Sequence, residues 1–201
     1  MNRRAFFLSG TAAAVVPLVA APRPAMAARP YSQRGGVDYF TNAELRSHDG
    51  RRVRFYDDLL KGKVVMINFI YTECGDICPG MTQNLVDVQK LLGDRVGRDI
   101  FMYSFTLQPE HDTPERLKEY AEIFDVKPGW LFLTGAPADI ELLRRRLGFA
   151  DSDPVQDADL EQHIGIVRIG NEPLNRWIMA AALLRPESLI QNLRQVIPSD
   201  S

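Results

Sequence analysis

Cys74 and Cys78 are the whole cysteine content of this 201-residue chain, and three residues separate them in Tyr71-Thr72-Glu73-Cys74-Gly75-Asp76-Ile77-Cys78-Pro79. Two cysteines can make one bridge, one redox pair or one metal clamp. A bridge across three residues closes a very small loop and removes little entropy from the unfolded chain, so a purely structural disulfide is poorly motivated. The spacing is one residue wider than the Cys-x-x-Cys of thioredoxin-like reductases. A metal held by two thiolates needs further donors, and the chain offers three histidines. His48 sits in a turn and reads as a solvated turn residue. His111, in Gln108-Pro109-Glu110-His111-Asp112-Thr113-Pro114, lies in a polar loop and reads as a lead-in to a helix. His163 directly precedes an apolar run, so a core element would hold it, and it is the candidate ligand.

The elements that must position these residues follow from the pattern of apolar positions. Residues 63–70 form a near-continuous β-rich run, which is how a strand buried on both faces looks. Leu85, Val88, Leu91 and Leu92 recur at helical spacing, so a helix is expected over 79–92. The cysteines therefore fall between a central strand and a helix, where open α/β sheets bind ligands. Pro79 suits a first helical position, which makes Cys78 the expected N-cap and puts both sulfurs near a partial positive charge that favours thiolate.

Residues 100–106 read as a second buried strand, and Thr113-Pro114-Glu115 as a capped helix start running to about Phe124. Further strands are expected at 130–133, 164–169 and 176–181, and helices at 138–147 and 186–196. Residues 40–45 and 51–55 flank Asp49-Gly50, the signature of a β-hairpin. Arg144, Arg145 and Arg146 end a helix, where they would complement its dipole and be solvated. The succession implies an α/β fold, a mixed sheet covered by helices on both faces.

The N-terminus has a different character. Arg3 and Arg4 precede an apolar stretch of about ten residues that contains Pro17, too short for a confident spanning helix, and Ala25-Met26-Ala27 supplies a small-x-small cleavage site. Residues 1–27 are expected to be a twin-arginine-type export signal, 28–38 a flexible lead-in and 39–201 the folded domain. Periplasmic localisation follows, with no firm membrane anchor. Removing 1–27 takes away Arg3, Arg4 and Arg23 and no acids, moving the net charge from −2 to −5. Nucleic acid is not an expected partner.

The strand leading into Cys74-Gly75-Asp76-Ile77-Cys78-Pro79, the later Asp112-Thr113-Pro114-Glu115 before a helix with Leu117 and Tyr120, and a histidine ahead of a late strand together resemble the Sco/SenC family. The resemblance covers the chain from about Phe40 to the end. It implies a thioredoxin-like domain in which Cys74, Cys78 and His163 bind copper. It also implies delivery of that copper to the binuclear centre of cytochrome c oxidase, or thiol–disulfide reductase chemistry by Cys74 and Cys78, which form a disulfide when oxidised. The implied partners are an apo copper-enzyme subunit and an exported thiol reductant. Two soft thiolates suit Cu(I) and an added imidazole allows Cu(II); zinc is the chemical competitor. Gln162-His163-Ile164 lacks the proline that reductases of this fold place opposite their cysteines. The chain departs from the family at Gln108, where an acid is frequent, and at Val167-Arg168-Ile169-Gly170. Met66, Met81, Met102 and Met179 read as core filler, with Met81 the one close to Cys78 in sequence.

Overall fold

The computed structural model describes residues 36–159 and 165–198. A seven-stranded mixed sheet runs in the order β2-β1-β5-β4-β3-β6-β7. Its centre is β3 (Val64–Ile70), β4 (Ile100–Thr106) and β5 (Trp130–Gly135), mutually parallel. Register runs from Val64 opposite Ile100 to Ile70 opposite Thr106. Antiparallel neighbours complete it: β1 (Glu44–Ser47) beside β5 with β2 (Arg52–Arg54) outside it, and β6 (Ile166–Asn171) beside β3 with β7 (Arg176–Ala181) outside. The chain ahead of β1 is not strand: Val37–Phe40 forms a helical turn, α1.

Side chains on β3 alternate between the two faces, as a two-residue period requires. Val65, Ile67 and Phe69 join Phe40, Leu45, Phe55, Tyr103, Phe105 and Leu143 in one core, covered by α1, the turn Phe55–Leu60 and α4 (Pro137–Arg146). Met66 and Ile70 join the other core, formed with α2 (Ile77–Leu92), α3 (Pro114–Ile123) and α6 (Pro186–Val196). Both cysteines belong to this second core. Asn68 shares that face as a buried polar residue, and its needs are met in sequence. Trp130 Nε1 donates to Ser104 Oγ at 2.9 Å, Ser104 Oγ donates to Asn68 Oδ1 at 2.8 Å, and Asn68 Nδ2 donates to Met81 Sδ at 3.8 Å. A satisfied chain of this kind removes the cost of burying each polar atom alone.

A short helix α5 (Pro154–Ala158), capped by Asp153, follows α4. Here the arginine run departs from expectation. Arg144 is buried, not solvated: it donates to Asp157 from both terminal nitrogens at 2.8 Å, to Glu141 at 2.8 and 3.0 Å, and to the Phe149 carbonyl at 3.0 Å. Asp157, brought back by α5, supplies the counter-charge that makes the burial tolerable. The departure at Gly170 also has a local reason. Gly170 pairs across β6 and β7 with Trp177, whose indole occupies the space a Cβ at 170 would need. Arg168 stacks over that same indole, 5.1 Å from its centroid.

Candidate functional site

The loop joining β3 to α2 leaves the sheet at its C-terminal edge and folds back on itself, with Cys74 N donating to the Tyr71 carbonyl at 3.2 Å. The helix begins two residues earlier than the proline suggested. Asp76 occupies the capping position without a side-chain bond, and Ile77, Cys78 and Pro79 form the first turn. The expected N-cap role of Cys78 is therefore wrong. Pro79 still fits, because first-turn nitrogens have no intrahelical acceptor to lose. The capping work is done by the other cysteine: Cys78 N–H donates to Cys74 Sγ at 3.3 Å. The four-residue step thus places the first sulfur on the helix end that carries the second.

Both cysteines are free thiols, Cys78 0% and Cys74 5% exposed. Burial, and then the Cys74 sulfur beside it, push the Cys78 thiol up. The helix end does not make Cys78 a thiolate, because the cost of burying its charge outweighs a partial dipole. A soft cation between the sulfurs would reverse that preference by supplying the missing positive charge.

The histidines separate clearly. His48 is not the solvated turn residue expected: its Nδ1 accepts from Phe132 N at 3.1 Å while its backbone N–H donates to the Phe132 carbonyl at 2.8 Å. Burial lowers the His48 imidazole below its usual range. His111 is exposed in the turn before α3, with its backbone engaged by Gln108, Thr113 and Arg116. His163 lies outside the described residues. The chain is described again from Gly165, whose φ of +91° would strain any side chain; a Cβ there would also lie 2.8 Å from Ile77 Cδ1. Gly165 O accepts from Ala182 N at 2.7 Å, and Asn84 of α2 donates to the carbonyls of Ala182 and Leu184, each at 2.7 Å. The start of β6 is thereby tied against the first turn of the cysteine helix. Met81 is fully buried with its sulfur engaged by Asn68, as a filler residue should be.

One residue of the site was missed in the sequence. Asp112 is 0% exposed. Its Oδ2 accepts from Thr106 Oγ1 at the end of β4 and from Thr72 N at 3.2 Å, and its Oδ1 accepts from Thr72 Oγ1. Thr72 is two residues before Cys74. The signal available was an acid next to the helix cap Thr113, on the same strand-to-helix edge as the cysteines. Thr113 itself caps α3 as expected, accepting from Arg116 N at 3.4 Å. Gln108 contributes backbone only, accepting from the N–H groups of His111 and Asp112 and donating to Thr106 Oγ1.

A cavity of about 580 Å³ lies at the other end of the parallel strands, lined by Lys63, Phe101, Tyr103 and Leu131 among others. No cysteine lines it. Its cations are already engaged: Arg51 with Asp49, Arg98 with Asp99, and Lys63 with the Asp58 carbonyl and the Phe101 ring. The chemistry sits with the sulfurs, at the C-terminal edge.

A sequence model of the SCO1/SenC family matches residues 33–195. The SCO1 protein homolog of Bacillus subtilis (strain 168) is 38% identical over 100 residues, which are 49% of this chain and 49% of that protein. The chain matches about half or less of the length of the first curated relatives. A solved structure titled for a disulfide switch in BsSco, a Sco-family cytochrome c oxidase assembly protein, aligns with a TM-score of 0.59 at 27% identity, covering 76% of this chain and 90% of that one. Bradyrhizobium japonicum ScoI with copper bound aligns with a TM-score of 0.59 at 24% identity, over 77% and 97%; at that identity it speaks for the thioredoxin-like fold alone. Matched over most of its length, the chain belongs to the SCO1/SenC family.

Proposed function

We propose that this protein is an exported copper carrier that holds copper as cargo at Cys74, Cys78 and His163 and passes it by ligand exchange to a respiratory copper enzyme, the binuclear site of cytochrome c oxidase. One observation carries the reading. Two buried sulfurs share one helix end, at the place where the backbone of Gly165 meets Ile77. The donors fit the ion: a sulfur pair selects a soft cation, and Cu(I) is the softest of the common candidates. His163 is two residues from Gly165, a span of at most about 7 Å of chain. An imidazole within that reach would complete a set able to keep Cu(II) as well. Residues 1–27 act as the twin-arginine-type export signal and 28–38 as a lead-in to the folded domain 39–201, with the working location the periplasm. Among the described residues no helix is long and apolar enough to cross a membrane.

The acceptor is an apo copper-enzyme subunit. An exported thiol reductant keeps the pair competent, because oxidation to the Cys74–Cys78 disulfide removes both sulfur donors. The alternative, a thiol–disulfide reductase, has the free thiol pair in its favour. In that reaction the two thiols reduce a target disulfide with two electrons and two protons and themselves become a disulfide. Burial of the Cys78 thiol weakens it, since the thiolate is the attacking species.

Copper titration of the reduced mature protein tests the carrier. One equivalent is expected to bind, Cys74→Ser and Cys78→Ser to lose it, and His163→Ala to keep weaker Cu(I) binding with an altered Cu(II) spectrum. Unchanged copper stoichiometry, affinity and Cu(II) spectrum in His163→Ala would remove His163 from the site.

A further inference from the structure

The loop that carries Cys74 is clasped at two successive residues, by the segment between β4 and α3 and by the first turn of α3. Thr72 is held from within by Asp112. Glu73 is held from outside by Arg116, whose Nη2 lies 2.6 Å from Glu73 Oε1. The two clasps differ in kind. Arg116 and Glu73 are both solvated, 42% and 58% exposed at the side chain, and an exposed pair of this sort contributes little. Asp112 is sealed, and its carboxylate receives one N–H and two hydroxyl hydrogens from two different segments. That is the pattern of an acceptor-only carboxylate. Among the described residues no lysine or arginine pairs with it. Removing the carboxylate therefore takes the acceptor from the half-buried Thr72 amide and hydroxyl and from the buried Thr106 hydroxyl, which keeps only the Gln108 N–H as a partner.

We propose that Asp112 is the positioning residue of the cysteine pair: by fixing Thr72 to the end of β4 it holds Cys74 against the first turn of α2, so that the two sulfurs are presented as one preformed donor set. The geometry is short and direct. Thr72 is joined to Tyr71, whose carbonyl accepts from Cys74 N, and Cys74 Sγ in turn accepts from Cys78 N. With Thr72 released, the side-chain tie from Glu73 to α3 that remains is the exposed pair with Arg116. Preformed donors lose less freedom when a ligand binds, so Asp112 raises copper retention without touching the ion. This last consequence rests on the copper reading above; the positioning of the sulfurs does not.

The metal-free protein provides the first test. Cys74 is nearly sealed, so a thiol reagent reaches it through local opening of the loop, and the rate of alkylation reports that opening. For reduced full-length protein treated with N-ethylmaleimide and analysed by peptide mass, Asp112→Ala is expected to raise alkylation of Cys74 about tenfold, the scale of one lost buried hydrogen bond. Asp112→Asn, which keeps an acceptor for the Thr72 amide, should be partly rescued. Thr72→Val should speed the reaction in the same direction and be non-additive with Asp112→Ala, and Arg116→Gln should leave the rate within twofold of the parent. If Asp112→Ala fails to fold, Thr72→Val alone decides. Alkylation of Cys74 at the parental rate in a folded Asp112→Ala or Thr72→Val protein overturns the proposal, as does acceleration explained fully by an equal loss of global stability in urea. A copper arm separates the two readings. Faster alkylation with no copper bound by the parent keeps Asp112 and discards the carrier; copper bound and lost equally fast by parent and Asp112→Asn discards only the gain in retention.

Discussion

Two carboxylates in this fold, the buried Asp112 and the half-buried Asp157, are held in opposite ways. Asp157 lies between Arg144 and Arg145, accepting from each at 2.8 Å and from Asp151 N at 2.8 Å. Asp112 is given one backbone amide and two hydroxyls and no guanidinium. The first charge is cancelled where it stands, and its partners belong to α4 and the loop after it, so it ties α5 to α4. The second is held by neutral dipoles, with Arg116 near enough to feel its charge without pairing with it, and its field reaches the sulfurs: Asp112 is among the groups that push the Cys78 thiol up, behind burial and Cys74. A paired carboxylate serves architecture, while a dipole-solvated one both fixes a loop and colours the chemistry beside it.

The comparison breaks most visibly at Arg144. Arg144→Met leaves the half-buried Asp157 with Arg145 but without its main partner and is expected to cost about 3 kcal/mol in urea unfolding, with most of the loss regained in Arg144→Met/Asp157→Leu. Copper binding should be altered less than stability. A smaller effect, about 1–2 kcal/mol, is expected from Thr106→Val, which removes one neutral donor from Asp112 and leaves the rest of its shell; here thiol reactivity should move more than the urea midpoint.

Acid sharpens the contrast. Arg144 above all holds the Asp157 carboxyl well below the usual carboxylate range. A depressed folded value contributes stability that is complete above the unfolded carboxylate pKa, about 4, and is lost as pH falls below it toward the folded value. A melting-temperature series from pH 5 downward should show that loss, and Arg144→Met should flatten it. His48 has the smallest expected effect. Its imidazole is lowered by burial, so the unfolded state binds its proton first. Stability should slip as pH drops through about 6.5, and His48→Gln should remove that step while the deeper acid loss persists.

Much of the frame was legible from residue pattern. The apolar run of β3 and the Thr113-Pro114-Glu115 start of α3 stand where local chemistry puts them, because burial on both faces and a first-turn proline each leave a mark on consecutive residues. The burial of Arg144 was not legible, whereas Arg145 and Arg146 are exposed as helix position suggests. Helix position alone makes all three solvated, and only a carboxylate thirteen residues from Arg144 makes burial the better state there. His48 reads as a turn residue until β5 is laid beside it and the Phe132 amide needs an acceptor. At the site, the strand–cysteine–helix order located the sulfurs to within a residue. The cap was misplaced by two residues because Pro79 fits any position of a first turn, and what settled it was a sulfur acting as the acceptor.

The residue types and their spacing determined the chemistry available to this protein: two soft donors four residues apart, at the end of a buried strand, can only meet at one helix terminus. Tertiary structure alone decided how those donors are held. Asp112 is forty residues from Thr72 and six from Thr106, and no local rule joins them. They meet because β3 and β4 run parallel in register, which brings Ile70 opposite Thr106 and the two following loops to one edge. Local preference acts within a few residues, whereas the hydrogen bonds that satisfy a buried carboxylate are chosen by whatever the fold places around it.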